Sequence, residues 1–225
     1  MRILAIETVG TSGSVAALAD GTLAAQHELP SGRRSAQALA PGIAAVLAEI
    51  GWRPSDVELV AVATGPGSFT GLRIGVTTAK AFAYAVGCQV IGVDSLVAIA
   101  ARVDPACAAF SAVLDAQRGE LFAADFTRCS DGSLEGHAAT RLVPAQTWLE
   151  SLPPGSTVTG PGLERWVARV PAGVQVVDRA LWDPRAAEVG RLGWQAFQAG
   201  ERSTPFDLKC EYLRKAAAEE RLSGP

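Results

Sequence analysis

Histidine is nearly absent from this chain: His27 and His137 are the only two among 225 residues. A metal-binding HxxxH or HExxH pair on one helical face is therefore excluded. A Ser–His–acid triad would have to draw on one of these two, and no serine occupies a GxSxG elbow. Cys88, Cys107, Cys129 and Cys210 are widely spaced with no CxxC pair. They are expected as reduced thiols of a cytoplasmic protein, not as a zinc site or disulfide framework. Long apolar runs are missing as well. The uncharged stretch Leu59–Leu72 is 14 residues, short of the roughly 20 that span a bilayer, so no membrane segment is expected. Glu7 interrupts the first apolar run, which argues against a signal peptide. Basic excess is also lacking. Residues 1–104 carry 7 basic and 8 acidic side chains, and the remainder 13 and 15. Tight binding to nucleic acid needs a positive surplus, so any RNA would be held mainly by another protein.

The familiar nucleotide loops fail too. Gly65, Gly67 and Gly71 approach a dinucleotide fingerprint, but the third glycine falls one position late for GxGxxG. A Walker loop would need Gly-Lys where Thr70-Gly71 stand. What remains is a glycine-rich turn from strand to helix. Its backbone N–H groups favour an anion, or Ser68 or Thr70 simply caps the helix.

With 48% hydrophobic and 19% charged residues, the chain has the composition of a folded domain. Its pattern predicts two α/β halves, 1–104 and 105–225. Arg2–Ile6 and Ser14–Leu18 read as strands, followed by a hairpin at Asp20-Gly21 and a third strand over Thr22–Leu29. Leu39, Ile43, Val46, Leu47 and Ile50 give a helix over about 35–50, with Ala36, Ala40, Ala44 and Ala48 as a ridge of small residues beside them. Leu59–Ala63 is a continuous apolar strand. After the glycine turn comes a helix over about 72–86, then a strand at Val90–Val93 and a short helix. The second half repeats the opening: Ala112–Leu114 ends on Asp115, turns at Gln117-Arg118-Gly119, and returns over Glu120–Phe126. Thr157-Val158 precedes Gly160-Pro161-Gly162, and a helix is expected over about 184–199.

Two features carry the functional expectations. Glu7 and Asp115 each end the first strand of a half, where α/β folds bind ligands. Together they could form a vestigial nucleotide site, or each could cap its own turn. The helix over 72–86 has only Arg73 and Lys80 as charges and is apolar or small on nearly every face. Such a helix needs cover on both sides, supplied by the second half or by another chain.

The string Gly65-Pro66-Gly67-Ser68-Phe69-Thr70-Gly71-Leu72-Arg73-Ile74-Gly75 resembles the hallmark of the TsaB (YeaZ) family. Ile3–Thr8, Asp115–Phe122 and Tyr212-Leu213-Arg214 agree with it, so the resemblance spans the chain. It implies an α/β, actin/Hsp70-like (ASKHA, RNase H-like) fold of two duplicated lobes. It also implies a non-catalytic dimerisation subunit for making threonylcarbamoyladenosine in tRNA, next to the anticodon, with no cofactor or metal of its own. The implied partners are a TsaD-type catalytic subunit and a TsaE-type ATPase, with tRNA met only through the complex and a homodimer formed when the chain is alone. Pairing in the family uses the first two helices, which places Ser35, Ala36, Ala40, Ala44, Leu72, Arg73, Val76, Thr77 and Lys80 at the expected interface. The sequence departs from the family pattern at Glu7, where Asp is usual, and at Ser35-Ala36, where a His-Ser or His-Thr pair is common. An ATP-binding enzyme acting alone and a metallopeptidase are the alternatives.

Overall fold

The computed structural model describes residues 1–10, 12–30, 35–130, 132–135 and 139–213. His137, Arg214 and the side chains of Ser35 and Ala36 lie outside them. Two sheets are present. The first contains β1 (Arg2–Glu7), β2 (Ser14–Ala19), β3 (Thr22–Glu28), β4 (Leu59–Gly65) and β5 (Gln89–Asp94), in the order β3-β2-β1-β4-β5. The β1–β2 and β2–β3 pairs are antiparallel, whereas β4 and β5 run parallel to β1. Parallel strands need crossovers, which α1 (Ser35–Glu49) and α2 (Phe69–Val86) supply.

The second sheet is built from β6 (Ala109–Asp115), β7 (Glu120–Arg128), β8 (Leu134–Glu135), β9 (Arg141–Pro144), β10 (Thr157–Thr159) and β11 (Gln175–Val176). β7 is antiparallel to β6, and β9 to β7, while β10 and β11 continue in parallel on the other side of β6. Apart from the short β8 at the end of β7, this repeats the order and directions of the first sheet. The faint echo in the sequence is a duplication of the whole motif, and the fold is the two-lobe α/β arrangement of the actin/Hsp70 type.

Side-chain alternation sorts the core. Leu4, Ile6, Val60 and Val62 face a cluster with α1 and α2, containing Leu39, Ile43, Val46, Val76 and Ala79. Ile3, Ala5, Leu59 and Ala61 face the opposite way and join α3 (Ser95–Ala100), α5 (Ala186–Gln198) and one face of the second sheet. β1 and β4 are thus covered on both faces, which is why they read as continuous apolar runs. The far face of the second sheet is covered by α4 (Ala145–Glu150), through Ala145, Trp148 and Leu149. Although α5 lies late in the chain, it packs across β1, β2, β4 and β5 of the first sheet. Ala186 N–H donates to Ser14 Oγ at 2.9 Å and Ala187 N–H to Gln26 Oε1 at 2.9 Å, fixing its start there.

Candidate partner interface

The glycine turn is built against the end of β1. Ser68 caps α2 by accepting from Gly71 N–H at 3.2 Å, so the helix starts at Phe69, earlier than the sequence pattern predicts. Thr70 is exposed and Gly65 buried. Gly67 has φ +147°, and a Cβ there would stand 2.0 Å from Val9 Cγ1. At Gly71 a Cβ would meet the Thr8 carbonyl oxygen at 2.0 Å. Thr8 Oγ1 donates to Gly71 O at 2.8 Å and locks the contact. Gly71 therefore lets the β1 turn and α2 touch backbone to backbone, and Gly67 makes room for the Val9 side chain.

Glu7 is completely buried at the tip of β1. Its Oε1 accepts the N–H of Val9 and, at 2.8 Å, that of Gly10, while Oε2 has no hydrogen-bond partner among the described residues. Burial, with Asp183 nearby, pushes its carboxyl up to about 7; the two N–H bonds and Arg185 oppose the shift without cancelling it. Asp115 sits at the matching place on β6, half-buried, and its Oδ1 accepts Gln117 N–H at 2.8 Å. Each acid thus folds back on its own turn. Among the described residues, no three His, Cys, Asp or Glu side chains gather as metal ligands would.

The helical face is the remaining expected site. α2 turns Leu72, Val76, Ala79 and Ala83 inward and Arg73, Thr77, Ala81 and Tyr84 outward. Leu72 and Val76, expected at the interface, are 1% and 4% exposed and belong to the chain's own core. They sit one helical position behind Arg73 and Thr77, so the i, i+4 spacing serves both stripes and does not tell inside from outside. Lys80 is half-buried, its Nζ donating to Leu208 O at 3.1 Å. On α1, Ala40 and Ala44 are exposed, as are Pro41, Ala45 and Ala48. Leu39, Ala40, Arg73, Ile74, Thr77 and Thr78 line a groove of about 370 Å3 between the two helices. The C-terminal segment borders this face: Phe206 stacks edge-on to Tyr84, and the two are 75% and 70% exposed. Sequence reasoning missed this border, because nothing local ties residues 206–212 to α2.

The two stripes have opposite consequences. Val76→Asp will lower the melting temperature by roughly 8–16 °C, since an unpaired charge in that core costs on the order of 4 kcal/mol. Ala40→Glu will leave the melting temperature within about 2 °C, because exposed helix positions tolerate such changes. Thermal melts of the two variants check both outcomes.

A family model described as TsaD, tRNA N6-adenosine threonylcarbamoyltransferase, matches residues 28–156. The tRNA threonylcarbamoyladenosine biosynthesis protein TsaB of Escherichia coli is 31% identical over 231 residues, covering 100% of this chain and 99% of that protein. TsaB of Bacillus subtilis is 28% identical over 228 residues, covering 98% and 97%. Among solved structures, YeaZ from Pseudomonas aeruginosa superposes with a TM-score of 0.81 at 26% identity, over 94% of this chain and 99% of that one. Similarity of this extent in sequence and fold, running through both lobes, establishes that the chain belongs to the TsaB (YeaZ) family.

Proposed function

We propose that the chain is a non-catalytic subunit in the formation of N6-threonylcarbamoyladenosine in tRNA, the modification for which its E. coli and B. subtilis relatives are named. Its exposed α1–α2 face docks on a TsaD-type transferase, with a TsaE-type ATPase joining the assembly in the cytoplasm. Without that partner, two copies pair through the same face. The tRNA is met through the complex. The observation that carries this reading is the outer face of α1 and α2: small and apolar residues around a groove, on helices whose other faces already fill the core. Ser35 and Ala36 begin α1 at one end of this face, and Ala40, Ala44, Arg73 and Thr77 form its centre. The lobes divide at 104/105 in this proposal, with α5 returning to brace the first.

The turn at Glu7 supports the non-catalytic part. The N–H groups of Val9 and Gly10, which a phosphate would seek, already donate to the chain's own carboxylate. The glycine turn is likewise occupied by Thr8 and Val9, which supports a structural role for it.

A reconstitution tests the proposal. The components are tRNA, threonine, bicarbonate, ATP, the activating enzyme and the TsaD- and TsaE-type subunits, with product quantified by mass spectrometry. Product is expected only when this chain is present. Equal product in its absence, with every partner active, would refute the reading.

A further inference from the structure

Among the described residues, Arg73 is the one charged residue lining the α1–α2 groove; the other lining residues, Leu39, Ala40, Ile74, Thr77 and Thr78, are neutral. Its guanidinium is held, among the described residues, by neutral groups alone. The central carbon lies 3.9 Å from the centroid of the Phe69 ring and 5.8 Å from that of Tyr212. Those two rings are 4.8 Å apart, and Nε donates to the Tyr212 hydroxyl at 3.1 Å. Tyr212 is itself fixed by the segment before it: Glu211 N–H donates to Thr64 O at 2.8 Å, and Leu208 is buried. Among the described residues no carboxylate lies within ion-pair distance of Arg73. The neighbouring cation, Lys80, is turned toward the Leu208 carbonyl and lies near Asp207.

A guanidinium has five N–H donors in a planar fork, and among the described residues only Nε is engaged. The two terminal nitrogens, on a side chain already ordered by two rings, match a carboxylate in bidentate geometry. A phosphate chain would need further free cations beside it, and among the described residues the groove is lined by no other. We propose that Arg73 is a specificity-determining residue that receives an Asp or Glu side chain from a helix of the partner seated in this groove. The inference rests on the reading that the α1–α2 face docks a TsaD-type subunit.

Titration calorimetry with the TsaD-type subunit, using the full-length chain, tests it. Arg73→Glu should weaken binding by about 30-fold or more. Arg73→Lys, which keeps the charge and loses the fork, should cost about tenfold, and Tyr212→Phe, which frees Nε, several-fold. Melting temperatures should stay within about 2 °C of the wild type, since Arg73 is exposed. Reversing one acidic residue on the partner's docking helix to Arg should restore at least about tenfold to the Arg73→Glu variant. The proposal is overturned if the wild type binds and Arg73→Glu binds within about twofold of it, or if no acidic position on that helix gives rescue. If the wild type itself does not bind, the docking reading falls and this inference falls with it.

Discussion

Gly71→Ala will lower the melting temperature by roughly 6–12 °C, the loss expected for about 3 kcal/mol in a chain of this size. The reason is local and backbone-based. A Cβ at position 71 would stand 2.0 Å from the Thr8 carbonyl oxygen, and the Gly71 carbonyl in turn accepts from Thr8 Oγ1. Neither side can move aside as a flexible side chain would, so α2 must lift from the end of β1. The matched control is Gly87→Ala. Gly87 has φ +74° with nothing within 4 Å of its Cβ position, so only the left-handed backbone resists alanine, at about 1 kcal/mol. Differential scanning calorimetry of the two variants separates contact from backbone preference. Equal losses would mean that the hallmark glycines serve something other than this close approach.

Glu7→Gln will make the chain more stable at pH 8 and will flatten its pH dependence between about 4.5 and 7. In the folded chain the Glu7 carboxyl is pushed up to about 7 from the usual 4.5, chiefly because it is buried. Below pH 4.5 it is protonated whether the chain is folded or not. Between the two values the folded chain holds a proton that the unfolded chain has lost. Stability therefore falls as pH rises through this window, by roughly 3 kcal/mol in all at about 1.4 kcal/mol per pH unit. Glutamine keeps an acceptor for the N–H groups of Val9 and Gly10 and has no charge to bury. Urea unfolding at pH 5 and pH 8 measures the effect. An unchanged slope with pH in the variant would show that Glu7 is not the group that titrates.

Much of this architecture is legible in the sequence because the strongest signals are local. β1 and β4 are uninterrupted apolar strands, and Asp20-Gly21 turns between β2 and β3. The Gly-Pro-Gly that follows β4 recurs after β10, and Gly160 there meets the Val113 backbone of β6. In the first lobe the matching glycines meet other groups, Gly65 the Glu211 backbone and Gly67 the Val9 side chain. β9 and α4 escape a sequence reading: they have 4 and 6 residues, too few to establish a period, and β9 has no buried stripe. The candidate face was only partly legible. Leu72 and Arg73 stand side by side in the sequence, yet one fills the core and the other faces outward. Only packing against β4 distinguishes them. The contact between Arg73 and Tyr212 spans 139 residues, and no local pattern could announce it.

The central claim is that the outer face of α1 and α2 makes this chain necessary for tRNA modification. It is tested most directly by placing the folded Ala40→Glu variant in the reconstituted threonylcarbamoyladenosine assay beside the wild type. The account predicts that the variant, melting like the wild type, forms less than about a tenth of the product, because the longer charged side chain fills the groove at the centre of a close helix contact and competes for Arg73. Wild-type levels of product from that variant would contradict it.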